Sequence, residues 1–178
     1  MIQEIDFFIL DFIRSHLSCE FLDITMPVVT SLANGGFICI LITLLLLFLK
    51  KYRYDGIILG LSLITGLLCG NIIIKNAVKR IRPCVLRNVD IIINVPGGYS
   101  FPSGHTLATI IMAVSLFGVN KKAGIAATVF AAVVAFSRIY LYVHYPSDVL
   151  FGAVLGVIIA VSVKKLIVKY RITDKKTS

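Results

Sequence analysis

The chain has 178 residues, 58% of them hydrophobic and 15% charged, with a mean hydropathy of +0.94, against about 45–50% apolar and about 25% charged in a soluble domain. That balance excludes a disordered tail, a secreted mini-domain and an ordinary cytosolic enzyme, and the length fits one domain, 1–178, holding five or six membrane spans of about 20 residues. The 18 Lys and Arg against 9 Asp and Glu give a net charge of +9, but in so apolar a chain their position matters more than their total, and nucleic acid is not the expected partner.

Over 1–22, Ile2, Ile5, Phe8, Ile9, Phe12 and Ile13 form a helical apolar stripe beside a polar face that holds Glu4, Asp6, Asp11 and Arg14. This pattern predicts an amphipathic helix lying in the membrane interface. The first positive side chain is Arg14, so the basic start of a signal peptide is missing. Five stretches then carry no Asp, Glu, Lys or Arg: 24–49, 56–74, 106–120, 123–137 and 149–163. The first two can each cross a bilayer unaided. The last three have 15 residues each, about 22 Å of helix against about 30 Å of hydrocarbon, and need flanking residues with polar groups to complete them. The expected fold is an all-α, integral membrane helical bundle of about five transmembrane helices plus the N-terminal interfacial helix.

The pairs Gly56/Gly60, Gly66/Gly70 and Gly152/Gly156 would let helices approach closely, although chance and ordinary packing explain them as well. Cys19, Cys39, Cys69 and Cys84 lack metal-ligand spacing and read as small hydrophobes. A Cys19–Cys84 bridge is conceivable only with both on an oxidising side.

With the N-terminus outside, segments 50–55, 121–122 and 164–178 lie inside and hold eleven of the 18 Lys and Arg. The positive-inside rule therefore predicts a basic cytoplasmic tail over 164–178. Lys75, Lys79, Arg80, Arg82, Arg87 and Arg138 gather instead around the outer segments 75–105 and 138–148. That placement runs against the rule and needs another reason.

Lys75, Lys79 and Arg82, spaced by four and three, would share one helical face at the outer end of the second span, with Pro83 closing the helix. Alone, such a strip also suits snorkelling contacts with headgroups. Phe101-Pro102-Ser103-Gly104-His105 opens the third span, where Ser103 is a favoured N-cap and Gly104 lets an anion approach the free N–H groups. His105 stands in the first turn beside that cradle, although a single His at a helix start is commonly structural. Further on come Ser137-Arg138, His144 and Asp148. An Arg at the membrane level of an apolar helix is a functional candidate, and Pro146 suits the first position of a new helix. Asp148 can hold His144 in one tautomer and leave the other ring nitrogen as a nucleophile; by itself the pair could equally be structural. Together, three cations, a cradle of N–H donors, two His and one carboxylate on one side of the membrane are the parts that phosphoryl transfer requires.

Lys75-x6-Arg82-Pro83, Pro102-Ser103-Gly104-His105 and Ser137-Arg138-x5-His144-x3-Asp148 resemble the three signature motifs of the type 2 phosphatidic acid phosphatase (PAP2) superfamily, complete and in order over 75–148. The resemblance implies an all-helical phosphatase that uses neither a metal nor another cofactor and works through a phosphohistidine. Lys75, Arg82, Arg138, Ser103 and the Gly104 N–H would then hold phosphate oxygens. His144 would attack phosphorus, Asp148 would orient it, and His105 would protonate the leaving oxygen and afterwards activate water. Lys79 and Arg80 fall outside the motifs and are read as headgroup contacts or as without a role. The implied substrate is a membrane lipid phosphate, first an undecaprenyl diphosphate at an outward-facing site, with phosphatidylglycerophosphate or phosphatidic acid as the alternative. A lipid phosphotransferase on the same site and a non-catalytic lipid-phosphate binder are the rival readings.

Overall fold

In a computed structural model, which describes the backbone of residues 1–177 and the side chains of residues 1–169, the charge-free stretches fold as helix. The described residues contain no strand. The helices are α1 (Ile2–His16), α2 (Glu20–Leu32), α3 (Phe37–Phe48), α4 (Arg53–Gly66), α5 (Lys75–Val78), α6 (Pro83–Leu86), α7 (Gly104–Leu116), α8 (Lys121–Tyr140) and α9 (Pro146–Thr177). A π-helical segment, Leu67–Ile74, joins α4 to α5. Among the described residues, four stretches are long and apolar enough to cross a bilayer: Glu20–Phe48, Arg53–Leu86, Lys121–Tyr140 and Pro146–Lys169. As expected, the later ones are completed by polar flanks, with Lys121 and Arg138 both inside α8. Of the basic tail 164–178, the side chains of Arg171, Lys175 and Lys176 lie outside the described residues.

The first span, expected over 24–49, is broken in two. Gly35 and Gly36 take φ values of 59° and 73°, which cost a glycine little and other residues much. The chain bends there, between α2 packed on α8 and α3 packed on α4.

With 13 residues, α7 is only about 20 Å long. It packs against α4, α8 and α9, and its Leu107, Ile111, Met112 and Leu116 form the core with Leu59, Ala127, Ala131 and Ile159. A helix ringed by protein need not match the hydrocarbon thickness, because its neighbours cover the irregular backbone at its ends. Side chains such as Leu41, Leu45, Leu68, Val129, Leu150 and Ile158 stay exposed, the outward apolar surface expected of a bundle solvated by lipid.

The glycine pairs sit at helix contacts. A Cβ on Gly152 would come within 2.8 Å of the Ser103 carbonyl oxygen, and one on Gly156 within 3.0 Å of the Leu107 carbonyl oxygen. The start of α7 and the start of α9 are thereby pressed together. The cysteines are free, so the conceivable Cys19–Cys84 bridge is absent.

The N-terminal helix is amphipathic, but its faces differ from the expectation. Ile2, Ile5, Phe8 and Phe12 are exposed, whereas Asp6 turns inward and is 2% exposed. Periodicity alone places Asp6 on the polar surface, because it cannot reveal a buried partner.

Adding a methyl group against a fixed carbonyl forces the helices apart, so Gly152→Ala should destabilise by about 1–3 kcal/mol. Gly97, whose Cβ position meets nothing within 4 Å, supplies the control. Thermal unfolding in detergent should show a lower Tm for Gly152→Ala and an unchanged one for Gly97→Ala; equal values would refute the tight α7–α9 contact.

Candidate active site

Lys79, at φ 52°, ends α5 by donating its backbone N–H to the Lys75 carbonyl at 3.1 Å. The chain then leaves the helix, and Arg82 is extended at φ −67° and ψ 148° with Pro83 in the first turn of α6. The expected basic strip on one helical face therefore does not form. Lys79 is exposed, yet Lys75 and Arg82 still meet, because the chain turns back over the end of the bundle.

They meet at a cavity of about 220 Å³ lined by Ala33, Gly35, Asn71, Lys75, Arg82, Pro96, Gly97, Gly104, His105, Arg138 and His144. Helices α4 to α5 and α8 deliver their C-terminal ends here, and α7 its N-terminal end. Six of the eight residues expected to form the site line the cavity. Asp148 stands behind His144, and Ser103 lies behind the start of α7. The Ser103 hydroxyl is buried and pairs with Thr106 Oγ1 at 3.0 Å rather than capping the helix, while its N–H donates to the Asp148 carbonyl at 3.1 Å.

His144 sits on the turn after α8, where the N–H groups of Val143 and His144 reach the Arg138 carbonyl at 3.2 and 3.3 Å. Its Nε2 lies 3.2 Å from an Arg82 guanidinium nitrogen. Arginine only donates, so Nε2 accepts and the ring proton is on Nδ1. That nitrogen faces Asp148 Oδ2 at 3.5 Å and Ser100 Oγ at 3.4 Å. Burial pushes His144 down to about 3; the Asp148 hydrogen bond opposes this, and the positive charges of Arg82 and Arg138 add to it. The ring is therefore a neutral imidazole with a lone pair toward the cavity.

The cations are held by neutral groups. Arg82 also donates to the carbonyls of Val143, Gly97 and Gly98 at 3.0, 3.1 and 3.2 Å, which ties the 87–103 loop over the site. Arg138 donates to Thr30 Oγ1 at 2.5 Å, and its Nε has no partner among the described residues. The Lys75 ammonium has no hydrogen-bond or ion-pair partner among those residues. His105 Nε2 lies 2.8 Å from the Asn34 side-chain oxygen, an acceptor, so Nε2 carries a proton. The Asn71 side-chain oxygen is buried and unpartnered among the described residues.

Arg80, expected as a headgroup contact or as without a role, is neither in the structure. Its guanidinium donates to Asp148 Oδ1 at 2.5 Å, to Ser147 Oγ at 2.7 Å and to Asp6 Oδ2 at 2.7 Å. Thr30, Asn34, Asn71 and Ser100 were also missed. For Asn34 and Asn71 a signal existed, since an amide within an otherwise apolar span is costly unless used. Asp6 and Arg80, 74 residues apart, had none. Among the described residues no three His, Cys, Asp or Glu side chains converge on a metal-binding position. The cavity's cations and N–H donors instead suit a multiply charged anion.

The PAP2 superfamily matches residues 55–172. The chain is 34% identical to the undecaprenyl-diphosphatase of Sulfolobus acidocaldarius over 67% of this chain, a segment that spans 59% of that relative's length. It is 31% identical to the undecaprenyl-diphosphatase BcrC of Bacillus subtilis, covering 78% of this chain and 71% of the relative. The crystal structure of a transmembrane PAP2-type phosphatidylglycerolphosphate phosphatase from Bacillus subtilis superposes with a TM-score of 0.78 at 27% identity, over 94% of this chain and 87% of that one.

A downward shift leaves His144 neutral as pH falls from 8 to 5. In nitrogen-15 NMR of the detergent-solubilised protein, His144 should show protonated Nδ1 and unprotonated Nε2 throughout that range. Titration near the ordinary imidazole value of about 6.5 would contradict the buried, cation-flanked setting.

Proposed function

The chain belongs to the PAP2 superfamily of phosphatases, and we propose that it hydrolyses a membrane lipid phosphate or diphosphate through a phosphohistidine at His144. Residues 1–178 act as one membrane-embedded domain. The observation that carries the lipid reading is the join between two spaces. The cation-lined cavity shares Gly35 and Asn71 with an apolar groove of about 290 Å³ between α3, α4 and α7, walled by Cys39, Ile40, Leu63, Ile64, Leu67, Leu107 and Ile111. A phosphate in the first and a hydrocarbon tail in the second describe an amphiphile.

In this reaction the phosphate oxygens take the donors of Lys75, Arg82, Arg138 and the Gly104 N–H, with Ser103 supporting that turn from behind. Arg82 turns to an oxygen and frees His144 Nε2, which attacks phosphorus as the bond to the leaving oxygen breaks. His105, an imidazolium once the phosphate's negative charge lies beside it, gives that oxygen its Nε2 proton and becomes neutral. Asp148 holds Nδ1 and favours the charge that forms on the ring. His105, now a base, takes a proton from water; the hydroxide oxygen attacks phosphorus, the P–N bond breaks, and inorganic phosphate leaves with both histidines restored. No step calls for a metal.

The names of the relatives favour undecaprenyl diphosphate as substrate, and that of the structural neighbour keeps phosphatidylglycerophosphate as the alternative. The site faces the extracytoplasmic side and the C-terminus the cytoplasm. Two features support this orientation. Lys50, Lys51, Arg53, Lys121, Lys122, Lys164 and Lys165 lie away from the cavity end of the bundle, as the positive-inside rule asks of cytoplasmic positions. The exposed Ile2, Ile5, Phe8 and Phe12 suit α1 to the outer interface.

His144→Ala should lower turnover by on the order of 10³-fold or more. Wild type should carry acid-labile, base-stable phosphate and His144→Ala none; His105→Ala should be slow yet still trap it from a good leaving group. Phosphate retained on His144→Ala would assign the nucleophile elsewhere. Activity should persist in excess chelator and be inhibited by vanadate, whereas loss in EDTA with recovery in magnesium would overturn the mechanism. Phosphate release without an added acceptor separates a hydrolase from a phosphotransferase. For orientation, Asn88→Cys in a cysteine-free background should react with an impermeant maleimide in intact cells and Lys122→Cys should not; the reverse would put the site inside.

A further inference from the structure

We propose that Arg80, fixed by Asp6 of the N-terminal helix, is a positioning residue that holds the Asp148 carboxylate toward His144, an inference that rests on the reading of His144 as nucleophile. Asp148 Oδ2 is the oxygen on the His144 side, where it also accepts from Ser100 Oγ and from the Tyr145 N–H at 3.1 Å. Oδ1 faces away and is bound by Arg80 at 2.5 Å. With both oxygens engaged, the carboxylate cannot rotate about its Cβ–Cγ bond, and Oδ2 remains opposite Nδ1.

Arg80 acts on Asp148 twice. Besides the guanidinium contact, its carbonyl accepts from the Ser100 N–H at 2.7 Å, which fixes the residue whose hydroxyl reaches Oδ2. The left-handed turn at Lys79 lets Arg80 leave α5 and reach the first turn of α9. There its guanidinium lies 3.7 Å over the Tyr145 ring, a stacked cation–π arrangement available to a planar head.

Asp6 completes the clamp. It accepts from Arg80 at 2.7 Å and from the N–H and hydroxyl of Ser147 at 2.9 and 2.5 Å. Asp6 thus caps the start of α9 while balancing a guanidinium that would otherwise be drawn wholly onto Asp148. A buried carboxylate on an interfacial helix is costly without such partners. Its side chain is 3% exposed and that of Arg80 20%, so neither is arranged as a headgroup contact.

Steady-state kinetics of the purified full chain in detergent test this. Arg80→Ala should lower kcat by about 10²-fold, the scale of a misplaced catalytic group, and change KM by less than about threefold, because Lys75, Arg82 and Arg138 are untouched. Arg80→Lys should recover about tenfold of that loss, and Asp6→Asn should lose about tenfold from wild type. In an Asp148→Asn background, Arg80→Ala should cost less than about twofold more, since the group it positions is already disabled. Wild-type kcat in Arg80→Ala, an equal loss in both backgrounds, or a raised KM with unchanged kcat would overturn the proposal, the last by making Arg80 a substrate contact. Should Arg80→Ala not fold, Arg80→Lys and Asp6→Asn decide the matter, and wild-type kcat in both would overturn it. Phosphoenzyme formation by His144→Ala, measured in parallel, separates the two readings. An inactive His144→Ala beside a fully active Arg80→Ala defeats only the positioning role, whereas a phosphorylated His144→Ala defeats the nucleophile assignment beneath it.

Discussion

Lys75, Arg82 and Arg138 converge on one cavity at the end of an apolar bundle, and among the described residues no carboxylate is set against them within it. Like charges gathered at low dielectric repel, so the arrangement is completed only by an anion of several charges. Arg82 and Arg138 are held by carbonyls and a hydroxyl, Gly97, Gly98 and Val143 for Arg82 and Thr30 for Arg138. Carboxylates in those places would compete with a phosphate for the same donors. Neutral partners fix the geometry and leave the charge available.

The Asp148 carboxylate is kept behind His144 and given its own counter-ion, Arg80. Charge is thereby sorted into two layers. The layer facing the cavity is cationic, and the layer behind it pairs Asp6, Arg80 and Asp148. His144 lies between them, with Nε2 toward the first and Nδ1 toward the second. The N-terminal helix belongs to the rear layer, and Tyr142 Oη, bonded to Asp11 at 2.7 Å, ties the same helix to the turn that carries His144.

The scaffold achieves this with helix ends rather than with a recognition domain. The bend at Gly35 and Gly36 brings Asn34 to His105, the π-helical segment brings Asn71 to the cavity wall, and the approach of Gly152 to Ser103 sets the start of α7 against α9. Each device is a local departure from regular helix, and each lies at the cavity end of the bundle. The apolar groove opens at two of them, which is why it and the cation-lined cavity can share a wall.

Hydropathy and charge were enough to establish an all-helical membrane bundle, because lipid demands long apolar runs whose backbone is satisfied internally. Residue type and spacing were enough to nominate Lys75, Arg82, Gly104, His105, Arg138, His144 and Asp148, since these are the groups that can bind or transfer a phosphoryl unit. The tertiary structure alone decided how they meet. Lys75 and Arg82 converge through a left-handed turn at Lys79 and not through helical register. Ser103 faces Thr106, Asp6 points inward, and Arg80 bonds Asp148. Thr30 reaches Arg138 across 108 positions, Asp6 reaches Arg80 across 74 and Asn34 reaches His105 across 71. Periodicity reports which face of a helix is apolar. It carries no information on which distant helix will supply the partner of a polar group, and that pairing emerges only when the helices pack.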